Sequence, residues 1–200
     1  MPLLSLVSGP VAQAAGTGSR CAKAKSKTIA QNRYVRVYRV TGASATKLYA
    51  CRRASGRRVA LDEDSGDETL GSGFSNVRLA GNYVAWKSAT TEDPGCKAAC
   101  PPGTGSGTSI TVEIYDTRRG RQRTVFSAEP LGGALVLSRS GAIAWAAQDS
   151  SSGPIEIRVS VRKDDDRTIA TGNIDPKSLA IELTIISWKC DGVEYFARLR

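Results

Sequence analysis

The chain repeatedly alternates apolar and polar positions around a short turn, and three of the four copies of this pattern end on a tryptophan. Residues 77–86, 135–145 and 179–188 are the clearest copies, whereas the first copy, residues 28–37, has valine in place of the tryptophan. Alternation with a period of two over a few residues is typical of a half-buried strand. Each copy therefore predicts a β-hairpin.

A second hairpin pattern follows each of these copies along the chain. It covers residues 48–61, 110–126 and 155–169, and the last copy keeps a single strand over 193–199. Four short meandering strands in about 40 to 50 residues are the size of one propeller blade. The pattern predicts an all-β fold, a small propeller-like array of about four antiparallel blades. A two-sheet β-sandwich is the alternative, because it also has many short strands with regular turns.

These periods also predict the domain organisation. Residues 1–20 are interpreted as a signal peptide and disordered leader. Residues 21–200 are interpreted as a single repeat domain, with units at about 28–62, 77–127, 135–171 and 179–200.

Short motifs within the repeats resemble those of a known family. The sequences Gly-Asn-Tyr-Val-Ala-Trp at 81–86 and Gly-Ala-Ile-Ala-Trp at 141–145 are accompanied by Ile-Tyr-Asp-Thr-Arg-Arg-Gly at 114–120. In these segments the chain resembles the WD40-like (TolB-type) β-propeller repeats of exported bacterial proteins. The resemblance implies a blade fold and often a binding role, but no common chemistry.

The start of the chain bears on localisation. Residues 1–15 are largely apolar, and Ala12, Gln13 and Ala14 form the small-x-small pattern of a signal-peptide cleavage site. The alternative interpretation is a disordered apolar tail. No later run reaches the length of a membrane-spanning helix, so no membrane span is expected in the mature chain. The predicted localisation is secreted or extracytoplasmic.

Five cysteines support the same localisation. Cys96 and Cys100 lie in a loop bounded by glycine and proline, which favours a local disulfide over a zinc half-site. For the remaining three, the favoured pairing is Cys21 with Cys51, enclosing the first repeat and leaving Cys190 free.

The absence of histidine excludes the common nucleophile systems and the commonest metal ligand. No nucleotide-binding or zinc-protease motif is present, so no catalytic residue, metal or cofactor is predicted. The repeated tryptophans are interpreted as packing between neighbouring sheets. A carboxylate-dependent glycan hydrolase is the alternative function, although no pair of acidic residues is singled out by the sequence.

The arginines are better organised than the acids, and the formal net charge is +9. Basic residues flank the second hairpin turn of three successive units. They are Arg52, Arg53, Arg57 and Arg58, then Arg118, Arg119, Arg121 and Arg123, then Arg162, Lys163 and Arg167. Equivalent repeat positions lie on the same side of an array, so a basic rim is predicted that binds carboxylate or phosphate groups. Ordinary solvated turns are the alternative interpretation. We therefore expect a non-enzymatic extracytoplasmic binding or scaffold module with an anionic polymer or a protein as partner, and no nucleic acid.

Overall fold

A computed structural model describes residues 19–66, 71–92, 107–126, 130–148, 152–162 and 165–199. A single 3₁₀ turn, Ser19–Cys21, precedes fifteen strands in the described chain, and the all-β prediction is confirmed. The strands are β1 (Ser26–Gln31), β2 (Val35–Thr41), β3 (Thr46–Arg52), β4 (Arg58–Gly66), β5 (Gly71–Ala80), β6 (Tyr83–Glu92), β7 (Gly107–Asp116), β8 (Arg121–Phe126), β9 (Pro130–Leu137), β10 (Ile143–Ala147), β11 (Ile155–Ser160), β12 (Asp166–Gly172), β13 (Ile174–Glu182), β14 (Ile185–Cys190) and β15 (Val193–Arg198).

Within each sheet, strands that follow one another in the chain pair antiparallel, so each sheet is a meander. The ladder is interrupted between β8 and β9 and between β12 and β13. One sheet has eight strands in the order β1 to β8, a second has β9 to β12, and a third has β13 to β15. None of these sheets closes on itself. Consecutive strands joined by short turns are the arrangement that alternating hairpin patterns favour.

The prediction of four separate blades is not supported. The strands do fall into groups of four, four, four and three, but β4 and β5 pair with each other at Ser65 with Ser72 and at Gly66 with Gly71. This contact joins the first two groups into one eight-stranded sheet. Open sheets packed face to face agree better with the sandwich-like alternative. Periodicity locates hairpins, but it does not reveal whether one hairpin pair continues the hydrogen-bond ladder of the next.

Three buried clusters lie between successive strand groups and hold them together. One joins β2–β4 to β5–β7, another joins β6–β8 to β9 and β10, and the third joins β9–β11 to β13–β15. Strand β10 shows the principle, since Ile143 and Trp145 face one cluster and Ala144 and Ala146 face the other. A strand covered on both faces reads as a continuous apolar run, as this one does.

The repeated tryptophans anchor these clusters. Trp86 and Trp145 have no exposed surface, and Trp188 is also buried. Each belongs to a different cluster between strand groups. Their interpretation as packing residues is confirmed.

The first strand group has a covalent cap on its outer side. Cys21 and Cys51 form the predicted disulfide and pack with Tyr38 in a small buried cluster, while Cys190 is free. The leader over residues 1–18, the Cys96–Cys100 loop and Lys163 of the predicted basic rim lie outside the described residues. In the part of the chain that is described, no helix is long and apolar enough to cross a membrane.

Candidate functional site: an arginine-bearing end of the sheets

Alternate turns of a meander lie at the same end of a sheet, and the predicted arginines lie in or beside turns at one such end. The amide of Arg53, in the β3–β4 turn, donates to the carbonyl of Tyr34 in the β1–β2 turn at 2.8 Å. In the second group, the amide of Thr117 donates to the carbonyl of Asn82 at 3.0 Å. The first and third turns of these two groups therefore meet at one end of each group.

The predicted arginines of the first group divide into exposed and structural ones. Arg57 is exposed, and Arg52 is half-buried with its amide bonded to the Arg57 carbonyl. Arg53 donates through Nη1 to the carbonyl of Asn32 at 3.2 Å. Arg58 donates through Nη2 to the carbonyl of Ala22 at 2.8 Å. Arg53 and Arg58 thus also fix the turn and the N-terminal segment to the sheet.

In the second group, Asp116 shapes the turn that presents the arginines. Its Oδ1 accepts hydrogen bonds from the amides of Arg118 (2.8 Å) and Arg119 (3.1 Å). An aspartate that bonds to the amides two and three residues ahead is a standard way of closing a tight turn. The side chains of Arg118, Arg119 and Arg121 project into solvent as a result. Arg119 approaches Asp116 only at 3.9 Å, so its charge is weakly paired.

Arg123 has a different role from its neighbours. It donates to Ser160 Oγ at 2.9 Å and to the carbonyl of Gly141 at 2.6 Å, so it joins the second and third strand groups. Burial lowers the pKa of this guanidinium from its ordinary value. The prediction placed Arg123 on an exposed rim, but its hydrogen bonds identify it as an internal cross-link beneath that rim.

A cavity of about 370 Å³ opens between the second and third groups, directly above Arg123. Arg119, Arg121 and Arg162 line it, and so does the Gly141 backbone. Arg121 and Arg162 form no side-chain hydrogen bond or ion pair with the described residues. Guanidinium groups of this kind can bind carboxylate, sulfate or phosphate oxygens in pairs.

Two further arginines lie at the same end and were missed by the sequence analysis. Arg33 and Arg139 line a larger cavity of about 800 Å³, where the first hairpin turns of all four groups meet. Glu182, in the fourth group, is the acidic residue of this lining. Arg33 and Arg139 lie in the first hairpin turn of their groups. A basic residue in that turn is the sequence feature that could have predicted them.

We call this end the arginine face. Its members are Arg33, Arg52, Arg53, Arg57, Arg58, Arg118, Arg119, Arg121, Arg139 and Arg162.

The turns at the opposite end have a different character. The β2–β3 turn has the sequence Gly-Ala-Ser-Ala at 42–45, and the β14–β15 turn has Asp191 and Gly192. Glu63 and Asp64 also lie toward this end, at the far end of β4. The turns described there contain no arginine. Among the described turns, the arginines are therefore gathered at the arginine face.

The carboxylates of Glu113, Asp116 and Glu194 do not form a catalytic pair. Glu113 is buried and accepts hydrogen bonds from Thr111, Gln122 and Thr124, so its oxygens are occupied by structural contacts. Asp116 closes its own turn, and Glu194 lies in another sheet, opposite Lys189. No group of three or more acidic or cysteine side chains in the described ranges is arranged to hold a metal ion.

Comparison of the chain with protein-family models, with curated proteins and with solved structures finds no match. The resemblance to WD40-like repeats therefore stays a prediction.

Proposed function

We propose that this protein is a non-enzymatic binding module that holds an anionic polymer on its arginine face outside the cytoplasm. The observation that carries the proposal is the gathering of turn arginines from three strand groups at one end. Arg57 of the first group approaches Gly120 of the second, and Arg162 of the third shares a cavity with Arg119 and Arg121. A continuous row of this kind fits a ligand whose negative charges repeat along its length.

The chemistry of the row favours oxyanions over neutral ligands. Each guanidinium presents a planar fork of donors that matches carboxylate, sulfate or phosphate. Because the side chains are solvent-exposed, most of the attraction is screened within about 8 Å at physiological salt. Binding therefore requires several arginines in contact at once and weakens as salt rises.

The extracytoplasmic part of the proposal is supported by the disulfide. Cys21 and Cys51 are bonded, and disulfides persist chiefly in oxidising compartments. The apolar segment at residues 1–15 is consistent with export of the chain.

Retention on a heparin matrix with elution by a sodium chloride gradient tests the proposal. The variant Arg118→Gln/Arg121→Gln/Arg162→Gln removes three exposed charges without disturbing the structural bonds of Arg53, Arg58 or Arg123. Its matched control, Lys27→Gln/Lys177→Gln/Lys189→Gln, removes the same net charge from exposed strand positions.

We expect the arginine variant to elute at clearly lower salt than the control, because only it loses charges from the row. Equal shifts in the two variants would show that net charge alone causes retention. A parent protein that passes through the matrix at low salt would overturn the proposal.

A further inference from the structure

The exposed apolar side chains of this protein are concentrated in one place. Seven large apolar residues are exposed in the described chain, and five of them lie in the last sheet: Leu183, Ile185, Val193, Tyr195 and Phe196. Phe196 is 64% exposed although it lies in the middle of a strand. Because side chains alternate between the faces of a strand, Phe196 lies on the same face as Ile185, and Tyr195 lies on the other. Exposed apolar surface gathered in one sheet is typical of an interaction site.

The same sheet has an edge strand without a bulge or a proline. Strand β15 pairs with β14 alone in the described part of the chain, without any shift in register. Natural edge strands are usually protected by bulges, prolines or charged residues. Register shifts occur next to the edge strands β1, β9, β12 and β13, and β8 begins with Arg-Gln-Arg. Strand β15 contains neither a bulge nor a proline, and its two charged residues, Glu194 and Arg198, have opposite signs.

The hydrogen-bond pattern fixes which residues of β15 face outward. The amide of Leu199 donates to the carbonyl of Thr184 at 2.7 Å. Because bonded positions alternate along an antiparallel pair, Val193, Tyr195 and Ala197 direct their backbone groups toward β14. Glu194, Phe196 and Arg198 therefore direct theirs toward the free edge.

These three outward residues form a self-complementary sequence. If a second copy of β15 lies antiparallel on the edge with the two-fold axis at Phe196, each Glu194 faces Arg198 of the other copy. The two Phe196 side chains then face each other, and every facing pair exchanges two backbone hydrogen bonds. An axis at Glu194 or at Arg198 would place like charges opposite each other, and an axis at Tyr195 or Ala197 would place a charge opposite Phe196.

We infer that β15 is a homodimerisation edge, on which two copies of the chain pair antiparallel about Phe196. The pairing joins two three-stranded sheets into one of six strands. It also covers apolar side chains that the monomer leaves in solvent. Opposite charges that face each other across strands stabilise such a pairing, and like charges destabilise it.

Analytical ultracentrifugation over a dilution series tests this inference with three variants. Arg198→Glu and Glu194→Arg each place like charges opposite each other across the two-fold axis. The double variant Glu194→Arg/Arg198→Glu restores opposite charges in exchanged positions. Lys27→Glu, on the edge strand β1, is the control with the same change of charge as Arg198→Glu.

We expect the parent and the control to dimerise alike, and each single variant to have a dissociation constant about tenfold higher or more. The double variant should return toward the parent value, which a folding defect cannot imitate. A parent that is monomeric throughout the series would overturn the inference. So would single variants that dimerise like the parent, or a double variant that is no better than either. Heparin retention is measured separately, so failure here leaves the proposed function standing, and the reverse also holds.

Discussion

At the scale of single residues, two tryptophans in equivalent repeat positions have different hydrogen bonding. Trp86 Nε1 donates to Asp62 Oδ2 at 2.6 Å, whereas Trp145 Nε1 is buried without a partner in the described chain. Both side chains are completely buried. The two repeat positions therefore share the packing role of the indole, but only Trp86 has a hydrogen bond from its indole nitrogen.

Phenylalanine substitutions should separate these two contributions. Trp86→Phe and Trp145→Phe remove similar volume, but only the first leaves a carboxylate without its donor. We expect Trp86→Phe to lower the free energy of unfolding by about 1 to 2 kcal/mol more than Trp145→Phe. Urea denaturation monitored by circular dichroism measures the difference. Equal losses would mean that the bond to Asp62 contributes nothing net.

Glycines show how close the strand groups approach one another. Gly141 has a φ of 86°, and a β-carbon added there would lie 2.6 Å from the ring of Tyr83 in the neighbouring group. Gly192 has a similar φ of 80°, but a β-carbon there would meet nothing within 4 Å. Glycine at position 192 is required only by the backbone conformation of its turn, whereas Gly141 also permits close contact between sheets.

At the scale of elements, the outer face of the first strand group is covered by another segment of the chain, whereas that of the last sheet is not covered by any described segment. Residues near Cys21 cover the first group, where Lys23 lies over the ring of Tyr49 and Arg36 over the ring of Tyr38. No described segment covers the outer face of the last sheet, where Ile185 and Phe196 are exposed. Terminal units of repeat arrays need such a cover because each stacks on only one neighbour.

The disulfide should be the main element that holds the N-terminal cover in place. Its two cysteines are 30 residues apart, so the cross-link restricts a loop of moderate length in the unfolded chain. The double variant Cys21→Ser/Cys51→Ser should lower the free energy of unfolding by about 3 to 4 kcal/mol. Thermal and urea denaturation of both proteins under non-reducing conditions measure this loss.

Cys190→Ser is the matched control for this prediction, because it removes a thiol but no cross-link. It should shift stability by less than about 1 kcal/mol. A double variant as stable as this control would show that the cover holds to the sheet without the covalent bond.

At the scale of the whole molecule, the type of basic residue is as informative as the net charge. The chain has nineteen arginines and nine lysines. The arginine face is defined by arginines alone, although Lys23 lines a cavity with one of them, Arg53. Acetylating all nine lysines would bring the formal net charge from +9 to zero. The local row of guanidinium groups would remain intact.

Chemical modification therefore offers a test that is independent of mutagenesis. We expect acetylated protein to remain bound to heparin at low salt, and protein treated with an arginine-specific dicarbonyl reagent to lose binding. The physical reason is that short-range contacts to forked donors outweigh the screened attraction of the lysine charges. Loss of retention after acetylation alone would contradict this prediction. Circular dichroism before and after each treatment confirms that the fold persists.

The sequence alone determined the local structure of this protein. Period-two alternation located the hairpins, the tryptophans marked their buried ends, and the spacing of arginines placed basic residues in the turns. The favoured pairing of Cys21 with Cys51 was also correct. The hairpins and the basic turns depend on residues close together in the chain or on one repeated pattern, and such a pattern is visible without coordinates.

Only the tertiary structure decided how the hairpins join and which arginines remain available. The β4–β5 pairing that merges two groups rests on backbone hydrogen bonds at Ser65 and Gly66, which leave no mark in the side-chain pattern. Arg123 and Arg121 are two residues apart in one strand, yet Arg123 is a half-buried cross-link and Arg121 an exposed donor. The two arginines differ because Gly141 and Ser160 of the neighbouring group lie within reach of Arg123. Such contacts between distant segments are set by packing and cannot be found from the spacing of residues in the sequence.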